Sequence, residues 1–105
     1  MVDLSFAGRQ GHNHPALQAI SRAKVGDQVT LIEEKGIWVL HDERGRVLGR
    51  MAQKNFLPPA NSKFVCGEIA AILRWRKDDC DENYFYTLRR DAWEVVVPEL
   101  VFEEI

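Results

Sequence analysis

The chain has 105 residues, 46% of them hydrophobic and 29% charged, a balance that excludes disordered, collagenous and coiled-coil proteins and leaves room for a single module with one core. Its longest unbroken apolar run, Ile69 to Leu73, falls far short of the roughly 20 residues a membrane helix needs, and nothing near Met1 resembles a signal peptide, so a soluble, cytoplasmic protein is expected. The formal charge of −2 conceals a segregation: residues 1–43 carry −2, residues 44–77 carry +7 with Glu68 as the lone acid, and residues 78–105 carry −7.

Val2, Leu4 and Phe6 alternate with Asp3 and Ser5, the period of a half-buried strand over Val2 to Ala7. A polar, glycine-punctuated loop then leads to Pro15, which opens a short helix over Ala16 to Ala23 with Leu17 and Ile20 at helical spacing. Val29 to Ile32 reads as a second strand and Ile37 to Leu40 as a third. The charged turn from His41 to Gly45 needs a positive φ at Gly45, and Val47 to Met51 returns as a fourth strand, so Arg44 and Arg46 sit near a hairpin tip.

Asn55 to Lys63 contains Pro58-Pro59 and is expected to be a surface connection with Phe56 and Leu57 as core plugs. Phe64 to Arg76 reads as one long strand that buries Val65, Gly67, Ile69, Ala71, Leu73 and Trp75, with Gly67 marking a bend or bulge. An acidic turn follows at Asp78 to Asn83, then a sixth strand at Tyr84 to Leu88 and a seventh at Trp93 to Val97 closed by Pro98, with Leu100 to Phe102 as an added edge pairing. The fold expected is mainly β: a small antiparallel barrel or curled sheet, SH3-like or OB-like, with one short helix.

Catalytic chemistry finds no motif in this chain, so no enzymatic activity is expected of it alone. His12, His14, His41 and Cys80 lack the paired short spacings of a zinc site, and Cys66 and Cys80 read as reduced thiols. Ser5, Ser21 and Ser62 have no nucleophile-elbow context, phosphate loops are absent, and the acids from Asp78 to Glu82 lack the glycine and bidentate glutamate of a calcium loop. No metal or cofactor is therefore expected. What remains is a basic stretch with aromatics in it, since single strands of nucleic acid are held by cations along the backbone and planar groups under the bases. Arg74-Trp75-Arg76-Lys77 offers both, and Arg44, Arg46 and Arg50 are its expected companions. The bland alternatives stand beside this: Trp38, Trp75 and Trp93 equally suit a core, and the arginines a solvated outer face.

In order along the chain, Phe6-Ala7-Gly8-Arg9, Val25-Gly26-Asp27-Gln28-Val29-Thr30-Leu31, Ile37 to Leu40 and Gly45-Arg46-Val47-Leu48-Gly49-Arg50-Met51-Ala52 resemble the HIRAN domain, a small β-barrel of helicase-type and chromatin-remodelling DNA repair proteins. The resemblance covers about residues 4–73. Asp3 to Arg9 and Trp93 to Leu100 are also similar to the C-terminal end of large bacterial RecQ-family ATP-dependent DNA helicases. The first resemblance implies recognition of single-stranded DNA through a loop arginine, which Arg9 matches, with aromatics; Gln10 replaces the usual aromatic, and Glu33-Glu34-Lys35-Gly36 stands where an Asn-x-Tyr-Asp segment belongs.

Two functions are thus expected. The first is a non-catalytic accessory domain of a DNA helicase that grips the backbone of single-stranded DNA with Arg9, Arg44, Arg46, Arg50, Arg74, Trp75 and Arg76. The second is an interaction module that docks on the helicase core or another repair protein through Val95 to Phe102. Neither involves a membrane, and the isolated domain is expected to be a monomer.

Overall fold

The computed structural model describes residues 2–11, 13–52 and 58–105. Among these, five antiparallel strands form one curled, half-barrel sheet in the order β3-β2-β1-β4-β5, with one α-helix and three 3-10 turns, the mainly β architecture expected. The strands are β1 (Gln28–Glu34), β2 (Ile37–His41), β3 (Val47–Arg50), β4 (Ser62–Arg76) and β5 (Ala92–Glu104); the helix, α1, spans Pro15–Arg22. His14 caps α1 by accepting the Ala16 N–H on Nδ1 at 3.1 Å, and Pro15 occupies the first turn, where its missing donor costs nothing. Lys35 and Gly36, both at positive φ, make the tight turn between β1 and β2. In the β2–β3 turn Gly45 has φ 78°, and the Asp42 carboxylate accepts the N–H groups of Arg44 and Arg46 at 2.9 and 2.8 Å.

Three expected strands take other forms. Over Val2 to Ala7 a single bridge, Val2 to Met51, is formed before the chain turns into the 3-10 turn Ala7–Arg9, because Asp3 folds back to accept the Ser5 N–H at 3.0 Å. Tyr84 to Leu88 lies mostly in a 3-10 turn, Glu82–Thr87, capped by Asp81, whose carboxylate accepts the Asn83 N–H at 2.9 Å. The seventh strand and its added pairing are one strand: β5 runs through Pro98, which is tolerated because β5 is the sheet edge. On β4 the expected parity fails at two register shifts, between Phe64 and Cys66 and between Ile69 and Ala71. Gly67 and Ile69 are buried and Trp75 packs on the core as expected, but Val65 and Leu73 face solvent while Phe64 and Ile72 pack on the core. Phe56, Leu57 and Lys54 lie outside the described residues.

The N-terminal segment lies between the two edge strands of the sheet. Val2 bridges Met51 just past β3, the Asp3 N–H donates to the Arg50 carbonyl at 2.8 Å, and Trp93 of β5 donates its Nε1–H to the Leu4 carbonyl at 2.7 Å. Gly8 lies against the Trp93 ring so closely that a Cβ there would sit 2.7 Å from ring carbons. The core beneath includes Leu31, Leu40, Leu48, Ile69, Val95 and Val96 with Ala19 and Ile20 of α1.

Candidate nucleic-acid interface

Part of the charge segregated along the sequence is offset where β4 pairs with β5 and just past the end of β4. Arg74 stands opposite Glu94, Lys63 Nζ lies 3.4 Å from Glu103 Oε1, and Arg76 Nε lies 3.5 Å from Asp79. These exposed pairs each contribute little to stability.

The seven candidate residues fall into separate groups. Arg9, Arg50 and Trp75 line one cavity of about 420 Å³, together with Asp79, Asp81 and Tyr84. Arg44 and Arg46 line another of about 180 Å³, beside Arg22 and the acids Asp27, Asp42 and Glu43. Arg46 is tied to Asp42 through Nε at 2.7 Å; burial raises that carboxyl's pKa, but the Arg44 and Arg46 N–H groups and the Arg46 guanidinium outweigh it and hold Asp42 low. Arg74 and Arg76 are exposed on β4 and line neither cavity, though Arg76 pairs with Asp79, which lines the larger one.

Asp3 organises the larger cavity. Its carboxylate accepts Arg9 Nη1 on Oδ1 at 3.3 Å and Arg50 Nε on Oδ2 at 2.9 Å, and Arg9 Nη2 also pairs with Oδ2. Burial alone would raise the Asp3 pKa, but the hydrogen bonds from Arg9, Arg50 and Ser5 and the charge of Arg9 hold it below the usual carboxylate range. A guanidinium carries five donors. Arg50 commits one of them and Arg9 two, so each keeps donors for a ligand. Tyr84 is exposed in its 3-10 turn, and Trp75, at the end of β4, is half-buried.

Compared with protein-family models, curated proteins and solved structures, the chain matches none. Its function must be argued from the site itself. Arg9, Arg50 and Trp75 are candidates on the sequence alone; Asp3, an outward position of the expected first strand, and Tyr84, inside an expected strand, are not. The Asp81-Glu82-Asn83 run, a good cap and turn former, is the signal that places Tyr84 outside a strand.

His14 is engaged as a helix cap and His12 lies outside the described residues. Among the described residues no group of three or more His, Cys, Asp or Glu could hold a metal ion, and no helix is long and apolar enough to cross a membrane.

Proposed function

We propose that this chain is a non-catalytic accessory domain that binds single-stranded nucleic acid, with the Arg9–Arg50–Trp75–Tyr84 cavity as its centre. The observation that carries the reading is the presence in one cavity of two guanidinium groups with free donors and two aromatic rings. Phosphate oxygens would take the Arg9 and Arg50 donors, and a base would stack on an aromatic face, at about 1–3 kcal/mol per base. The resemblance to HIRAN domains and to the C-terminal end of RecQ-family DNA helicases supports the same reading, with a DNA helicase as the proposed parent.

The volume, about 420 Å³, suits one nucleotide rather than a run of them. Because Asp3, Asp79 and Asp81 offset Arg9, Arg50 and Arg76, attraction to a polyanion is weak at long range, and binding rests on contacts made inside the cavity. Fluorescence-anisotropy titration of labelled single-stranded and duplex DNA across a salt series tests this. Single strands should bind better, with log affinity falling by roughly 0.7–1.4 per log of salt for one or two phosphate contacts. No binding to single strands at low salt would refute it.

A further inference from the structure

Resting on that reading, we infer that the cavity discriminates among bases and prefers those bearing an exocyclic amino group, with Asp81 as the residue that reads it. The cavity has charges of both signs that do not pair with each other. Arg9 and Arg50 are drawn onto Asp3, while Asp79 is drawn onto Arg76. Asp79 accepts the Arg76 N–H on Oδ2 at 3.1 Å, and Asp81 accepts the Asn83 N–H on Oδ1 at 2.9 Å. No ion pair joins Asp79 or Asp81 to Arg9 or Arg50 among the described residues, so one carboxylate oxygen of each acid is left for a ligand. A cavity that presents donors and acceptors as distinct groups complements a ligand with anionic and hydrogen-donating parts. A nucleotide with a cytosine, adenine or guanine base has both: phosphate oxygens for the arginines and an amino group for an acid. Thymine and uracil present a carbonyl oxygen where cytosine presents its amino group, and set against a carboxylate that oxygen is repelled; their one donor on that edge, N3–H, is flanked by two carbonyl oxygens that repel the same carboxylate.

Asp81 is the better reader of the two. The remaining oxygen of Asp79 belongs to a group already held by the Arg76 guanidinium, whereas Asp81 has no cationic partner among the described residues. The substitution Asp81→Asn is well suited to the question, because a carboxamide oxygen still caps the Asn83 N–H while the acceptor presented to the ligand becomes a donor.

The test is an anisotropy titration of fluorescein-labelled oligo(dC) and oligo(dU) of equal length, against the wild-type chain and Asp81→Asn. The two homopolymers have the same charge and ring size and differ at C4, amino against carbonyl, and at N3, acceptor against N–H. Wild type should bind oligo(dC) about three- to tenfold more tightly, and Asp81→Asn should abolish or reverse that ratio while keeping its far-ultraviolet circular dichroism. Asp81→Ser, which also caps, should abolish the ratio and serves if the first variant fails to fold. Equal affinities in wild type, or a ratio unchanged in both variants, would overturn the inference and leave single-strand binding standing. Binding of neither homopolymer would overturn both.

Discussion

Arg50 donates its Nε–H to the Asp3 carboxylate at 2.9 Å, and this contact joins the end of β3 to the N-terminal segment lying beside it. The backbone repeats the connection, with the Asp3 N–H on the Arg50 carbonyl at 2.8 Å. Two residues far apart in sequence thereby fix each other, and Arg9, on the same carboxylate, is held beside Arg50 at the cavity. The element that closes one side of the curled sheet and the element that positions the cationic groups are the same.

Acid should weaken the fold through Asp3. Its pKa is lower in the folded protein than the ordinary value near 3.9, so on acidification the unfolded chain takes up its proton first. The stabilisation is complete above that value and is lost as pH falls below about 4 through the folded pKa. Urea unfolding at a series of pH values should show this loss, and Asp3→Asn should flatten its share of the slope. At neutral pH Asp3→Ala should cost about 1–2 kcal/mol, a modest amount because both arginines can turn to water. An unchanged acid slope in Asp3→Asn would show that other carboxylates carry the acid response.

Gly8→Ala should destabilise by about 1–3 kcal/mol. The added Cβ meets the Trp93 ring at 2.7 Å, and that ring is 3% exposed and tethered to Leu4, so it cannot swing away. Gly26→Ala makes a poor control, since φ there is 94°; Ala52→Gly, outside the strands, is better. Thermal melts of Gly8→Ala indistinguishable from wild type would mean that the N-terminal segment shifts without loss.

Much of this architecture was legible because it is written in local chemistry. The helix follows from Pro15 and the Leu17–Ile20 spacing, and the β2–β3 hairpin from the turn residues around Gly45. Misreadings cluster where a partner distant in sequence decides. Register shifts on β4 depend on how β5 lies alongside, so simple alternation exposed Phe64 and buried Val65 wrongly. Pro98 reads as a strand stop unless β5 is known to be an edge. In the site, arginine and tryptophan are conspicuous as a pair of residue types, which marks Arg50 and Trp75, while Arg9 is marked only by the resemblance to HIRAN domains. Asp3 becomes visible only once the fold places Arg50 beside it, and the +7 segment is divided between the β2–β3 hairpin, which carries Arg44, Arg46 and Arg50, and β4, where Lys63 and Arg74 stand opposite acids of β5.

Arginines inside and outside the larger cavity should differ in effect. Tyr84 is 61% exposed, so Tyr84→Ala should leave the unfolding midpoint nearly unchanged while lowering affinity for single-stranded DNA about five- to 100-fold. Arg50→Gln should weaken binding and reduce the salt slope by about 0.7, whereas Arg44→Gln and Arg74→Gln, on other surfaces, should do neither. Equal losses from all three arginine variants would point to a diffuse electrostatic surface in place of the cavity.

The two thiols provide a map of the bound strand without any substitution. Cys80 lines the larger cavity, with Sγ 3.8 Å from Ser5 Oγ, while Cys66 is exposed on β4 and lines neither the larger nor the smaller cavity. A strand seated on Arg9, Arg50 and Trp75 should therefore slow alkylation of Cys80 and leave that of Cys66 unchanged. The experiment is a time course with iodoacetamide, read by mass spectrometry of the two cysteine peptides, with and without saturating single-stranded DNA at low salt. Protection of Cys66 alone would move the bound strand to the β4–β5 face, where Arg74 stands opposite Glu94. Protection of both would indicate a wrapped path or a conformational change. Protection of neither, under conditions where anisotropy reports full binding, would exclude the cavity as the contact centre and turn attention to Arg22, Arg44 and Arg46 around the smaller one.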